Sequence, residues 1–187
     1  ILHLHDVTTG DRIEPTIGLP GKFGGYDHIV VGPEGSRIYL SDGSKWEVRD
    51  LTDATMNKRF TEKDTITAMA LSRDGKLIAV GRSQGAIEVR ETSGFKVVES
   101  MSNSGKVGSL AFLPGGQELV SAGLNNAASL WAIESGKRIR MFKGHTKSIL
   151  SAVLSSDGEQ LVTLSNDKTV RSWAVSSGEE QVKYLIE

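Results

Sequence analysis

The chain has 187 residues, 38% of them hydrophobic and 24% charged, with a formal net charge of -1. That is enough apolar content for a packed core, and too balanced a charge for a nucleic-acid footprint spread over the whole surface. The absence of cysteine excludes disulfides, thiolate metal sites and cysteine nucleophiles, and no apolar run approaches the roughly 20 residues of a membrane helix.

Residues 1–7 read as a strand with Leu2 and Leu4 on one face. A turn at Thr8-Thr9-Gly10 leads to an outer strand over residues 12–17, where Pro15 suits an edge that need not donate a hydrogen bond. The first residues have neither a basic segment nor a long apolar run, so they do not read as a signal peptide. The missing initiator Met points to a segment taken from a longer protein. Residues 18–25 are rich in glycine and read as a connecting loop. Strands follow at residues 29–31, 37–40, 45–50 and 56–60, with Asp42-Gly43 as a hairpin signal. The next four fall at 66–71, 77–80, 86–90 and 95–100, and a further four at 107–112, 118–122, 128–131 and 138–142. The last four fall at 149–154, 161–164, 169–175 and 181–186. No segment sustains a 3.6-residue period, so the pattern predicts 18 strands and almost no helix.

Two rulers show that these strands repeat. The turn triplets Pro33-Glu34-Gly35, Arg73-Asp74-Gly75, Pro114-Gly115-Gly116 and Ser156-Asp157-Gly158 place their last glycines 40, 41 and 42 residues apart. Glycine suits a tight hairpin that needs positive φ. Counting back from Trp173 gives Trp131, Arg90, Arg49 and His5, in steps of 42, 41, 41 and 44. Trp46 falls outside this series, three residues before Arg49, at the position of Val170. Trp131 and Trp173 are expected to be buried.

The clearest unit is residues 144–175, GHTKSILSAVLSSDGEQLVTLSNDKTVRSWAV. A Gly-His pair, three short strands, two polar turns and a tryptophan in the third strand make it resemble a WD40 repeat, the four-stranded blade of a β-propeller. Ala174 stands where the family usually has Asp after the Trp. The resemblance covers essentially the whole chain and is strongest over residues 107–187. It implies an all-β fold: a WD40-type β-propeller with four-stranded antiparallel blades. Residues 1–20 would form the outer half of a blade, and 21–63, 64–102, 103–142 and 143–187 would form four blades of one domain. Such rings mostly close with seven blades, roughly 290 residues at this period. The chain is therefore expected to be an incomplete ring or part of a seven-bladed one, with the faces of its end blades bare.

Carried over residue by residue, the resemblance makes His145, Thr163, Asp167 and Trp173 a structural hydrogen-bond network, with Ser165 able to replace Thr163. A chain of buried, mutually paired polar groups fixes register. A Thr-His-Asp nucleophilic triad is the competing reading of three of them, and the repeat match already accounts for all four. Asn103, Ser121, Asn125 and Trp131 form a partial copy. Glu62, Val80, Gln84 and Arg90 cannot copy it, and the first blade offers Tyr39, Gly43 and Arg49. His3 and His5 share a strand face and could ligate a metal, but surface or packing roles are favoured. Lys137, Arg138, Arg140 and Lys143 form the only basic cluster, read as charge that blocks edge pairing rather than as a nucleic-acid patch. The Gly-Lys pairs complete no phosphate loop.

By resemblance, the function is a non-catalytic scaffold or sensor module for protein–protein contact within a larger protein or complex. The nominated loop residues are Lys147, Asn166, Lys168, Asn125, Asn126, Arg82, Gln84, Asp42 and Lys45. Partners would be other protein chains or the remainder of the same longer chain, in the cytoplasm. No cofactor, metal or membrane is expected, and the sequence disfavours nucleic acid. The alternatives are a propeller enzyme with a central site, or a nucleic-acid-binding propeller. No convergent set of carboxylates or histidines marks an axis in this sequence.

Overall fold

The computed structural model describes residues 2–5, 12–17 and 27–186. Strands β1 (Leu2–His5) and β2 (Arg12–Ile17) pair as a two-stranded sheet. Four antiparallel four-stranded sheets follow, each wound in chain order. The first holds β3 (His28–Val31), β4 (Arg37–Ser41), β5 (Lys45–Asp50) and β6 (Lys58–Thr61). The second holds β7 (Ile66–Leu71), β8 (Leu77–Arg82), β9 (Ala86–Glu91) and β10 (Val97–Ser102). The third holds β11 (Val107–Phe112), β12 (Glu118–Gly123), β13 (Ala127–Ala132) and β14 (Arg138–Lys143). The fourth holds β15 (Ile149–Leu154), β16 (Gln160–Ser165), β17 (Thr169–Ala174) and β18 (Glu180–Leu185).

The first strands of successive sheets, β3, β7, β11 and β15, neighbour one another in that order. The sheets therefore stand side by side as blades, their inner strands on a common concave side. Alternation gives each blade two faces, and three apolar clusters fill the gaps between blades. Tyr39, Trp46 and Val48 meet Ile66, Ile78 and Val80 between the first and second. Ile87 and Val89 meet Leu119 and Trp131 between the second and third. Val120, Ala128 and Phe142 meet Leu161 and Trp173 between the third and fourth. The four turn glycines Gly35, Gly75, Gly116 and Gly158 all have positive φ, 70° to 77°. Trp131 and Trp173 are buried. Trp46 pairs with Ser41 as Val170 pairs with Leu164, so it occupies a different blade position from Trp173.

Three local expectations are corrected. Met56 is not in a strand: it closes a 3-10 turn, Ala54–Met56, and β6 starts at Lys58. Asp53 caps that turn by accepting from the Thr55 amide at 2.9 Å, which competes with strand formation. Phe95 does not open a strand: its φ is 60°, at the place where later blades carry Gly136 (φ 63°) and Gly178 (φ 81°). It sits in the turn before β10, held by Trp46 and Phe60 of the first blade. Finally, Leu40, not Tyr39, occupies the position of Thr163, because the β4–β5 hairpin is one residue shorter than the β16–β17 hairpin.

Of the two end blades, expected to be bare, the first is partly covered and the fourth is bare. On the first blade Ile38 and Leu40 are fully buried, while Ile29 and Val31 are half exposed. The outward face of the fourth blade is bare, with Val153, Val182 and Tyr184 at 56%, 38% and 64% exposure.

Candidate functional site

In the fourth blade, the loop before β15 delivers His145 over the middle of β16 and β17. The Trp173 indole N–H donates to Thr163 Oγ1 at 2.9 Å. Thr163 Oγ1 lies 2.7 Å from His145 Nε2, and His145 Nδ1 lies 2.9 Å from Asp167 Oδ2. A carboxylate only accepts, so the consistent tautomer carries its proton on Nδ1, and Nε2 accepts from the threonine hydroxyl. Asp167 also accepts from the amides of Thr146 (3.0 Å) and Thr169 (2.9 Å) and from the Thr169 hydroxyl. Burial would raise the Asp167 carboxyl, but the bonds from Thr169, Thr146 and His145 outweigh it and hold the group well below the usual carboxylate range. Thr163 is fully buried, so it has no face open to a substrate. The chain ties β15's approach to the β16–β17 hairpin, which is a register device.

The third blade keeps two separate pairs. Trp131 donates to Ser121 at 2.8 Å, and Asn125 donates to Asn103 at 3.0 Å. Asparagine is too short to reach the serine as His145 reaches Thr163. In the second blade Glu62 and Arg90 take the positions of His145 and Trp173, and an ionic cluster forms instead of the histidine chain. Arg82 lies 3.0 Å from Glu62 and 2.9 Å from Glu88, and Arg90 pairs with both carboxylates. Glu62 also accepts from the Trp46 indole at 2.8 Å. Arg82 is therefore buried among carboxylates and does not present itself at the loop surface, which corrects its nomination as a partner-binding residue. The signal was present as Glu62, Arg82, Glu88 and Arg90, opposite charges on positions that face one another across strands.

The remaining nominated residues lie at one end of the blades, in the β4–β5, β8–β9, β12–β13 and β16–β17 hairpins and the loop before β15. Lys147, Asn166, Lys168, Gln84 and Lys45 are exposed, and Asn125, Asn126 and Asp42 are half-buried. Asp42 accepts from the Lys45 amide at 2.9 Å, Asn166 donates to Ser148 at 2.8 Å, and Asn126 donates to the Thr146 carbonyl at 3.3 Å. Asn126 and Lys168 adopt positive φ, 59° and 64°, in three-residue hairpin loops where the second blade has Gly85. Of the basic cluster, Arg138 stacks 5.7 Å over Trp131 and Arg140 donates to the Val175 carbonyl at 2.7 Å. Both arginines are thus engaged in packing. The side chains of His3 and His5 lie outside the described residues.

A family model described as WD domain, G-beta repeat, matches residues 136–174. An uncharacterized WD repeat-containing protein of Synechocystis, sll1491, is 33% identical over 115 residues, covering 60% of this chain and 33% of that protein. The anaphase-promoting complex subunit cdc20 of Dictyostelium discoideum is 24% identical, covering 80% and 29%. Protein groucho of Drosophila melanogaster is 29% identical, covering 83% and 21%. Among solved structures, the hydrazine synthase of Kuenenia stuttgartiensis superposes with a TM-score of 0.80 at 16% identity, over 94% of this chain and 53% of that one.

The chain carries a WD40 repeat at residues 136–174, and its fold is that of a β-propeller. It spans a third or less of the length of these curated relatives. Its four complete blades form a partial WD40 ring, and among the described residues no helix is long and apolar enough to cross a membrane.

Proposed function

We propose that this WD40 arc is a non-catalytic scaffold or sensor module that holds protein partners on the end of the blades bearing Lys147, Asn166 and Lys168. One observation carries the reading. The polar groups that could do chemistry in the fourth blade are consumed in holding strands together, while the lysines and asparagines of the adjacent loops point outward. A rigid frame with adaptable loops is the physical form of a binding platform. The names of relatives agree in kind, since one is a subunit of the anaphase-promoting complex. The cysteine-free composition is compatible with the reducing cytoplasm, where no disulfide is needed. The bare outward face of the fourth blade needs a cover, and a further blade from the same protein or from another subunit would supply it.

The test is affinity capture with the wild-type chain and with a variant carrying Lys147→Ala, Asn166→Ala and Lys168→Ala. Matched thermal midpoints must show that the variant folds. The reading expects co-purifying proteins to be lost with the variant. Retention at full strength moves the binding surface elsewhere.

A further inference from the structure

The inner strands carry an irregularity that the loop residues alone do not reveal. In β7, β11 and β15 the register shifts at the second residue, at Thr67, Gly108 and Leu150 respectively. Thr67 uses its hydroxyl to clasp the third blade, donating to the Val107 carbonyl. Gly108 has no side chain at that place, and Gly123 lies beside it. A Cβ on Gly123 would sit 1.9 Å from the Lys106 carbonyl oxygen, so only glycine lets the two backbones approach this closely. The result is a dent of 220 Å³ between the third and fourth blades, floored by these two glycines and walled by Leu124 and Leu150. Both leucines are more than half exposed, at 58% and 52%.

The dent has the size of a side-chain socket. It exceeds the roughly 150 Å³ that admits a benzene ring, and it falls below the roughly 300 Å³ where whole-ligand pockets begin. Its surroundings are positive. Lys106 and Asn166 line the dent, and Lys147 and Lys168 belong to the loops around it. Among the described residues, no carboxylate stands within ion-pair distance of Lys106, Lys147 or Lys168. Asp167, the one acid in these loops, is turned inward onto His145. The other acids of this end, exposed Asp27 and half-buried Asp42 and Asp64, belong to the first blade and the loop that follows it.

We infer that the Leu124–Leu150 dent is an anchor socket for an acidic peptide segment, taking one bulky apolar side chain while flanking Asp or Glu residues meet Lys106, Lys147 and Lys168. An apolar anchor in a pocket supplies most of the affinity, and the lysines supply orientation and salt dependence. This rests on the reading of this end as the partner-binding one and adds where the partner inserts and what chemistry it has.

The test selects random dodecapeptides displayed on phage against the full chain, then measures the winners by fluorescence polarisation. Leu124→Asp removes an exposed wall. Gly108→Ala reduces the dent without a clash, since its Cβ meets nothing closer than 3.5 Å. Enriched peptides should carry a single Leu, Ile, Phe or Trp flanked by acids. Their affinity should fall about 30-fold with Leu124→Asp and severalfold with Lys106→Glu, and should weaken as salt is raised. Gly108→Ala should weaken them as well, at an unchanged thermal midpoint. Peptides that lose binding in the triple alanine variant but ignore Leu124→Asp and Gly108→Ala overturn the socket and leave the binding end standing. Peptides indifferent to all these changes overturn both. Failure to enrich any acidic sequence, or selective retention of single-stranded RNA instead, overturns the socket.

Discussion

The gap between the first and second blades and the gap between the third and fourth are built from the same repeat positions in opposite ways. At the later gap the third blade offers small Ala128 and the fourth offers Trp173, with Phe142 edge-on at 6.1 Å. At the earlier gap the assignments are reversed. Trp46 takes the position of Ala128, and Arg90 takes that of Trp173. Trp46 stacks on Phe60 at 4.3 Å and meets Phe95 edge-on at 5.6 Å. One indole per gap fills the volume, whichever blade supplies it. The polar chains follow the indole. Trp173 feeds a single threonine-histidine-aspartate chain, whereas Trp46 donates to Glu62 in a cluster of two carboxylates and two guanidinium groups. A degenerate repeat signature therefore does not mean a degenerate blade; here the contacts have moved across the gap.

The largest expected effect comes from breaking the ionic side of this comparison. Arg82→Ala leaves Glu62 and Glu88 facing each other with less compensation and should cost about 3–5 kcal/mol of unfolding free energy, read from urea midpoints. A loss under about 1 kcal/mol would make the cluster a surface ornament. His145→Ala should cost about 1–3 kcal/mol by stranding Thr163 and Asp167, and an unchanged midpoint would refute the histidine chain.

Acid sharpens the contrast. Asp167 and Glu88 both titrate below their ordinary range when folded; burial opposes this in each, and the bonds from Thr169 and from Arg90 prevail. A depressed folded pKa gives stability that is complete above the unfolded carboxylate range and is lost as pH falls. Stability should thus decline below about pH 4, and Asp167→Asn should flatten that decline. An unaltered acid limb in the variant would exclude Asp167 from it. The smallest effect expected is a gain. Lys168→Gly relieves a left-handed lysine and should add about 0.5–1 kcal/mol, despite the entropy a new glycine costs. A loss would mean that the Lys168 side chain contributes more than the backbone strain removes.

Much of the fold was legible because strand alternation and turn glycines are local signals. Residues 66–71, 107–112 and 149–154 are largely apolar runs that each end just before a turn triplet, and they are β7, β11 and β15. The misreadings have non-local causes. Phe95 reads as a strand residue beside Gly94, but two first-blade aromatics hold it in a turn. Arg82 reads as a loop residue because a long charged side chain is seldom buried, and only Glu62 and Glu88, brought in by other strands, make burial tolerable. The socket went unseen because it depends on Gly108 and Gly123 meeting across two strands. Neither glycine sits in a turn signal. The four residues of the histidine chain were nameable in advance because they occur at the spacing of one recognisable repeat.

The central claim is that Trp46 does for the earlier gap what Trp173 does for the later one. A double-mutant cycle on Trp46→Ala and Phe95→Ala, measured by denaturant unfolding, tests it most directly. The two residues should couple by more than about 0.5 kcal/mol, while Trp46→Ala and Trp173→Ala, in separate gaps, should add within that margin. Additivity of Trp46 with Phe95 would contradict the account.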